Sequence, residues 1–191
     1  SAKNEVQKVY YHKMGTPQSE DVLFYQNPAN PLRFYSVSVN KEETMMFLTE
    51  AGMDQGTNLY VRDLRVPGSQ FIQMTGDCSK NYAPAQIIGN RIYMVTNAGA
   101  PKYRMMVADI NKPGYGDWKE VVAESESVLD GVTFAGDRMI LKYMKDNCHQ
   151  LYVYSLDGKR LSEIELPTYG SVSASGKRGQ KDVYYSFTSY T

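Results

Sequence analysis

The chain has no long hydrophobic run. Nothing approaches the roughly 18 consecutive apolar residues of a membrane-spanning helix, so no membrane partner is expected. Cysteine is scarce: Cys78 and Cys148 are the only two in 191 residues, and they lack C-x-x-C spacing. That argues against a thiolate metal site and against a small disulfide scaffold, so both read as plain thiols. Charge of one sign is lacking too. Lys+Arg and Asp+Glu number 21 each, with no block of like charges. A nucleic-acid footprint or an anionic-membrane patch is therefore not expected. The opening SAKNEVQK is polar and has no apolar core of a signal peptide. The chain reads as starting inside something larger, and as soluble, in the cytoplasm or the periplasm. Helical periodicity is nearly absent, because Asn, Gly and Pro punctuate the chain too often for long helices.

What is present points to strands. Sixteen Tyr, ten Met and six Phe favour pleated, half-buried positions for the aromatics. Three segments resemble one another: NLYVRDL (Asn58–Leu64), KYRMMVADI (Lys102–Ile110) and QLYVYSL (Gln150–Leu156). A fourth, KVYYHKMG, fits more loosely. Their tyrosines, Tyr10, Tyr60, Tyr103 and Tyr152, are spaced by 50, 43 and 49 residues. A period of about 40–50 residues is that of a propeller blade with four strands.

The flanking sequence completes the blades. One reads VLDGVTFAG, DRMILKYMKD, QLYVYSL and KRLSEIEL, with turns at Gly136-Asp137 and Asp157-Gly158. Asp-Gly between alternating segments is a strong hairpin signal. The preceding blade reads YAPAQIIG, NRIYMVTN, KYRMMVADI and WKEVVAE, with a turn at Gly89-Asn90; the one before it reads LRFYSVSVN, TMMFLTEA, NLYVRDL and FIQMTG. Each end supplies two strands only: QKVYYHKM and EDVLFYQN at the start, GSVSASG and DVYYSFTSY at the close. The fold class is therefore all-β, a partial β-propeller of three full four-stranded blades plus two half-blades. The division runs 1–28 (outer half-blade), 31–77, 81–125 and 126–167 (blades), and 168–191 (inner half-blade). Outer and inner halves are complementary. They predict either closure into a small four-bladed ring or a homo-oligomer joined through half-blade edges, with self-association favoured.

One stretch has the letters of catalysis. VYYHKMGTPQSEDVLFYQ places His12 near Ser19 and Asp21, the parts of a nucleophilic triad. The spacing is that of strand, turn and strand. A lone hairpin offers neither oxyanion donors nor a pocket, so His12 is expected to be satisfied by backbone or water. Cys148-His149 suggests a thiol nucleophile, but neighbours on a strand face opposite ways. Lys102 and Arg104 read as surface charges or ion-pair partners. GKRGQK reads as a solvated hairpin tip. Met45-Met46 and Met105-Met106 read as core filling, one of each pair facing a neighbouring blade.

The same stretch closely resembles the Tyr-Tyr-His-x-x-Gly-Thr-x-Gln-x-x-Asp run of the prolyl oligopeptidase (prolyl endopeptidase) family. GTNLYVRDL, PKYRMMVADINKP with Trp118, and GSVSASGKRGQKDVYYSFTSYT follow in the family's order, covering about Val6 to Thr191. The resemblance implies a parent that is a two-part serine peptidase. A seven-bladed propeller gates an α/β-hydrolase domain that cleaves short proline-containing peptides after proline. The hydrolase part is expected to lie outside this chain, which has no G-x-S-x-G nucleophile elbow; GSVSASG places its serines at the wrong offsets. No catalytic residue, cofactor or metal is thus expected here. In mammalian members an arginine aligned with Glu50 contacts substrate, and a cysteine aligns with Met53. The charge at Glu50 is reversed, so that contact does not carry over, and Glu50 and Met53 stand as substrate-cavity candidates. The alternative is a stand-alone propeller that binds proteins. Against it, the repeats lack Gly-His and Trp-Asp signatures, and Trp118 is the only tryptophan.

Overall fold

The computed structural model describes residues 6–53, 56–76 and 78–190. The leading SAKNE, the Asp54-Gln55 pair, Asp77 and Thr191 lie outside the described residues. Apart from two short 3-10 turns, Gln18–Glu20 and Tyr115–Asp117, the described elements are all strands. Strands β1 (Lys8–Tyr11) and β2 (Val22–Gln26) form a two-stranded sheet. Strands β3 (Phe34–Val39), β4 (Met45–Ala51), β5 (Thr57–Asp63) and β6 (Ile72–Gln73) form a four-stranded one. A second comprises β7 (Tyr82–Ile88), β8 (Arg91–Thr96), β9 (Arg104–Asp109) and β10 (Lys119–Val122). A third comprises β11 (Val128–Ala135), β12 (Arg138–Lys145), β13 (Cys148–Ser155) and β14 (Arg160–Ile164). The last two strands, β15 (Gly170–Gly176) and β16 (Val183–Ser189), form a separate two-stranded sheet. Three four-stranded antiparallel meanders and two hairpins are the parts of a partial β-propeller with three full and two half-blades.

Backbone contacts divide the chain into two compact units, Ser1–Ala83 with Ile110–Asp117, and Pro84–Asp109 with Trp118–Thr191. In the first, Met45, Phe47, Leu48, Leu59, Val61 and Met74 are buried. An aromatic group seats β2 on the β3–β6 sheet. Tyr25 meets Tyr35 edge-on at 5.1 Å and Phe71 at 5.8 Å, with Tyr60 at 6.0 Å. Each such pair adds about 0.5–1.5 kcal/mol beyond area burial.

In the second unit one core joins Tyr93, Met105, Leu129, Phe134, Met139 and Leu141. Another joins Ala135, Ile140, Leu151 and Val172 between the β11–β14 sheet and the β15–β16 hairpin. Leu151 is fully buried, which contributes about 1.5–3 kcal/mol. Strands β8 and β12 carry three successive buried residues each, Ile92–Met94 and Met139–Leu141. Both faces of these central strands are covered, so the expected alternation gives way to a continuous apolar run. The methionine pairs fill the core: Met105 joins Leu129, Met139 and Leu141 of the next sheet in one cluster, Met106 is buried as well, Met45 is buried and Met46 half-buried.

The hairpins follow their turn chemistry. Gly89, Gly136 and Gly158 all have positive φ, at 59°, 53° and 90°, a region that glycine enters without steric cost. The β12–β13 turn uses Asp146 and Asn147, both at positive φ (48° and 61°). Two positive φ values in a two-residue loop define the primed hairpin turn, and Asp and Asn tolerate it best after glycine. Sequence reasoning passed over this turn because it contains no glycine.

Candidate functional site

Across the first four-stranded sheet, Tyr35, Glu50 and Asn58 occupy one row: Tyr35 pairs with Glu50 on β4, and Glu50 with Asn58 on β5. Residues directly opposite in a ladder project on the same face, so the three side chains meet. Glu50 is only 4% exposed. Its Oε1 accepts from the Tyr35 hydroxyl at 3.1 Å, and its Oε2 accepts from Asn58 Nδ2 at 3.1 Å and the Tyr60 hydroxyl at 3.2 Å. Asn58 passes the network on, its Oδ1 accepting from Thr75 Oγ1 at 2.7 Å. A buried carboxylate is tolerated when hydrogen bonds replace its hydration, and here three neutral donors do so. Burial pushes the Tyr35 and Tyr60 hydroxyls well above the usual phenol range, and the adjacent Glu50 charge pushes them further. Both therefore stay protonated and donate.

Glu50, Met53, Asn58 and Tyr60 line a cleft of about 910 Å³ with Asn30 and Arg33. Sequence reasoning named Glu50 and Met53 together, and both reach this cleft. Their situations differ: Met53 is 91% exposed, whereas Glu50 is held in the sheet. Sequence reasoning missed the partners Tyr35, Asn58 and Tyr60, because cross-strand register decides which residues meet. Cys78 is buried and its thiol faces the Glu50 carbonyl oxygen at 3.8 Å; Cys78 and Cys148 are both free thiols.

The letters of a triad are partly brought together. His12 Nδ1 lies 2.6 Å from Asp21 Oδ1, so the expectation of a backbone or water partner for His12 is corrected. The strand ends at Tyr11, with a register shift between Val9 and Tyr10. His12 thus sits in the turn, where the chain reverses onto Asp21. Ser19 lies in the exposed Gln18–Glu20 turn, and the pair braces a surface hairpin. His149 faces the β15–β16 hairpin, its Nδ1 accepting from Val172 N–H at 2.8 Å. Arg104 pairs with Glu120 at 3.0 Å and also donates to the Ala98 carbonyl at 2.9 Å. Lys102 Nζ donates to the Glu126 carbonyl. Among the described residues, no group of three or more His, Cys, Asp or Glu is placed to hold a metal ion. No described helix is long and apolar enough to cross a membrane.

Four-stranded meanders with a hairpin at either end define the chain as a β-propeller domain. The family model described as prolyl oligopeptidase, N-terminal β-propeller domain, matches residues 1–191, and the chain belongs to that family. It is 32% identical over all 191 residues to the prolyl endopeptidase of Elizabethkingia meningoseptica, of which it spans 27%. It is 25% identical to the prolyl oligopeptidase ophP of Omphalotus olearius, with 95% of this chain and 25% of that protein covered. A solved prolyl endopeptidase from a study of inter-domain dynamics matches 99% of this chain and 28% of its own, with a TM-score of 0.88 and 28% identity. The apo structure of prolyl oligopeptidase B from Galerina marginata shares the fold at a TM-score of 0.85 and 21% identity, with 96% of this chain and 27% of that one covered. The chain thus spans about a quarter of the length of these relatives. It corresponds to the propeller, the non-catalytic part of the family's architecture.

Proposed function

We propose that the whole protein is a serine-type endopeptidase that cleaves short peptides after proline, and that this propeller gates and selects its substrates without taking part in the chemistry. The observation that carries this reading is the family match along all 191 residues, with a relative named prolyl endopeptidase at 32% identity. The nucleophile, base and acid belong to an α/β-hydrolase domain outside this chain, and the protein works in the cytoplasm or the periplasm. Within the propeller we assign residues 1–28 and 168–191 to half-blades and 31–77, 81–125 and 126–167 to blades. Glu50 and Met53 line the path of the peptide, Glu50 setting a negative potential there.

Activity assays separate the parts. With a chromogenic Gly-Pro substrate this chain gives no turnover. The full reading frame gives turnover, lost when the serine of its G-x-S-x-G is replaced by alanine. Hydrolysis by the 191-residue chain that survives further purification would overturn the reading. In the full-length protein, Glu50→Gln shifts KM for cationic peptides more than for neutral ones; equal shifts would remove Glu50 from the peptide path. The two end hairpins, each a two-stranded sheet beside four-stranded neighbours, are proposed to pair between copies when the chain is isolated. Light scattering then reports a dimer, and a concentration-independent monomer argues against this pairing.

A further inference from the structure

His149 is placed where protonation and packing conflict. The ring lies between the β11–β14 sheet and the β15–β16 hairpin, and its side chain is nine-tenths buried (9% exposed). Nδ1 accepts the backbone N–H of Val172 on β15 at 2.8 Å. An imidazole nitrogen accepts only when it carries no proton, so the neutral ring holds its proton on Nε2. That nitrogen is buried, without a hydrogen-bond partner among the described residues, and lies 3.3 Å from Asp130 Oδ2. Asp130 is already engaged by Lys142 Nζ at 2.6 Å. A second proton on the ring must go to Nδ1, where it would point at the Val172 N–H. Two donors would then face each other, and the link between β13 and β15 would be lost.

We propose that His149 is a pH-sensitive clasp. The neutral ring holds the β15–β16 hairpin on the β11–β14 sheet, and protonation releases it.

The charged groups around the ring are few. Asp130 on β11 favours the proton and Lys142 on β12 opposes it. Lys145, Asp146 and Glu163 share with Cys148 and His149 an open cleft of about 740 Å³. Strands β15 and β16 contribute no charged side chain. Burial, then the Lys142 charge, hold the His149 pKa below its ordinary value of 6.5, against a smaller opposing pull from Asp130. The sign follows. Above pH 6.5 the ring is neutral folded or unfolded and the clasp is complete. Below 6.5 the unfolded chain takes up the proton first, and stability falls until the folded ring titrates. The clasp is not essential to the local core, because Leu151 and Val172 still pack there. Release therefore loosens the hairpin without unfolding the sheet.

The test is amide hydrogen exchange at Val172 and along β15, corrected for intrinsic rates, with the titration of the His149 ring nitrogens followed by NMR. The expected result is a ring protonated on Nε2 at neutral pH and titrating below 6.5. Val172 protection drops about tenfold one pH unit below that midpoint. His149→Asn offers an amide oxygen near the position of Nδ1, so protection in that variant should not depend on pH. Protection unchanged through the ring's titration, a neutral ring protonated on Nδ1, or the same pH dependence in His149→Asn would each overturn the proposal. If His149→Asn fails to fold, the wild-type ring and amide titrations decide the matter by coinciding or failing to coincide.

Discussion

Tyr35 and Glu50 stand directly opposite each other on β3 and β4, and the Tyr35 hydroxyl donates to Glu50 Oε1 across 3.1 Å. The carboxylate is the hub of the row, since Asn58 and Tyr60 also depend on it. Glu50→Ala should therefore cost about 1–3 kcal/mol for each buried donor left unpaired and not rehydrated. Glu50→Gln keeps an acceptor and should cost less, and Tyr35→Phe, which removes one donor, about 1 kcal/mol. Urea unfolding midpoints give the order. A Glu50→Ala variant within about 0.5 kcal/mol of wild type, as for an ordinary surface change, would show that the network is not structural.

The same network predicts sensitivity to alkali. Tyr25, Tyr35, Tyr60 and Tyr143 all have hydroxyls raised above the ordinary phenol value of 10.0, each chiefly by burial. In the unfolded chain these groups lose protons near pH 10, while in the folded chain they keep them. Stability is therefore full below about pH 10 and declines as pH rises towards the folded values. Tyrosinate absorbance should show a set of tyrosines that ionise only as the fold is lost. Tyr60→Phe should lessen the alkaline decline. A single titration step for all tyrosines, well before unfolding, would contradict this.

Glycine matters unequally at the hairpins. Gly89 and Gly158 both have positive φ, but a β-carbon at Gly89 meets nothing within 4 Å. At Gly158 it would run into the Val121 carbonyl oxygen on the strand before β11. Gly89→Ala should cost only the left-handed conformation, about 1–2 kcal/mol. Gly158→Ala should cost more than that, read as a larger drop in thermal midpoint. Equal losses would mean that the Val121 backbone moves aside freely.

Much of the architecture was legible because β-sheet patterning is local. Period-two alternation, turn residues and the blade-length spacing of Tyr10, Tyr60, Tyr103 and Tyr152 each need only neighbours in sequence to be read. Asp146-Asn147 escaped because its turn relies on residues that only tolerate positive φ. Glu50 and Met53 stand as cavity candidates through resemblance alone, and the partners that bury Glu50 carry no such signal, since the Tyr35–Glu50–Asn58 row exists only once three strands are in register.

The sequence alone determined the fold class, the strand order and the family. Those follow from repeating local pattern and from one collinear run of motifs. Tertiary structure decided what the two histidines do. His12 meets Asp21 where the chain turns back, and His149 meets Val172 where a hairpin packs on a sheet. Both outcomes depend on which backbone or side-chain groups the folded chain brings within about 3 Å, and spacing along the chain does not encode that distance.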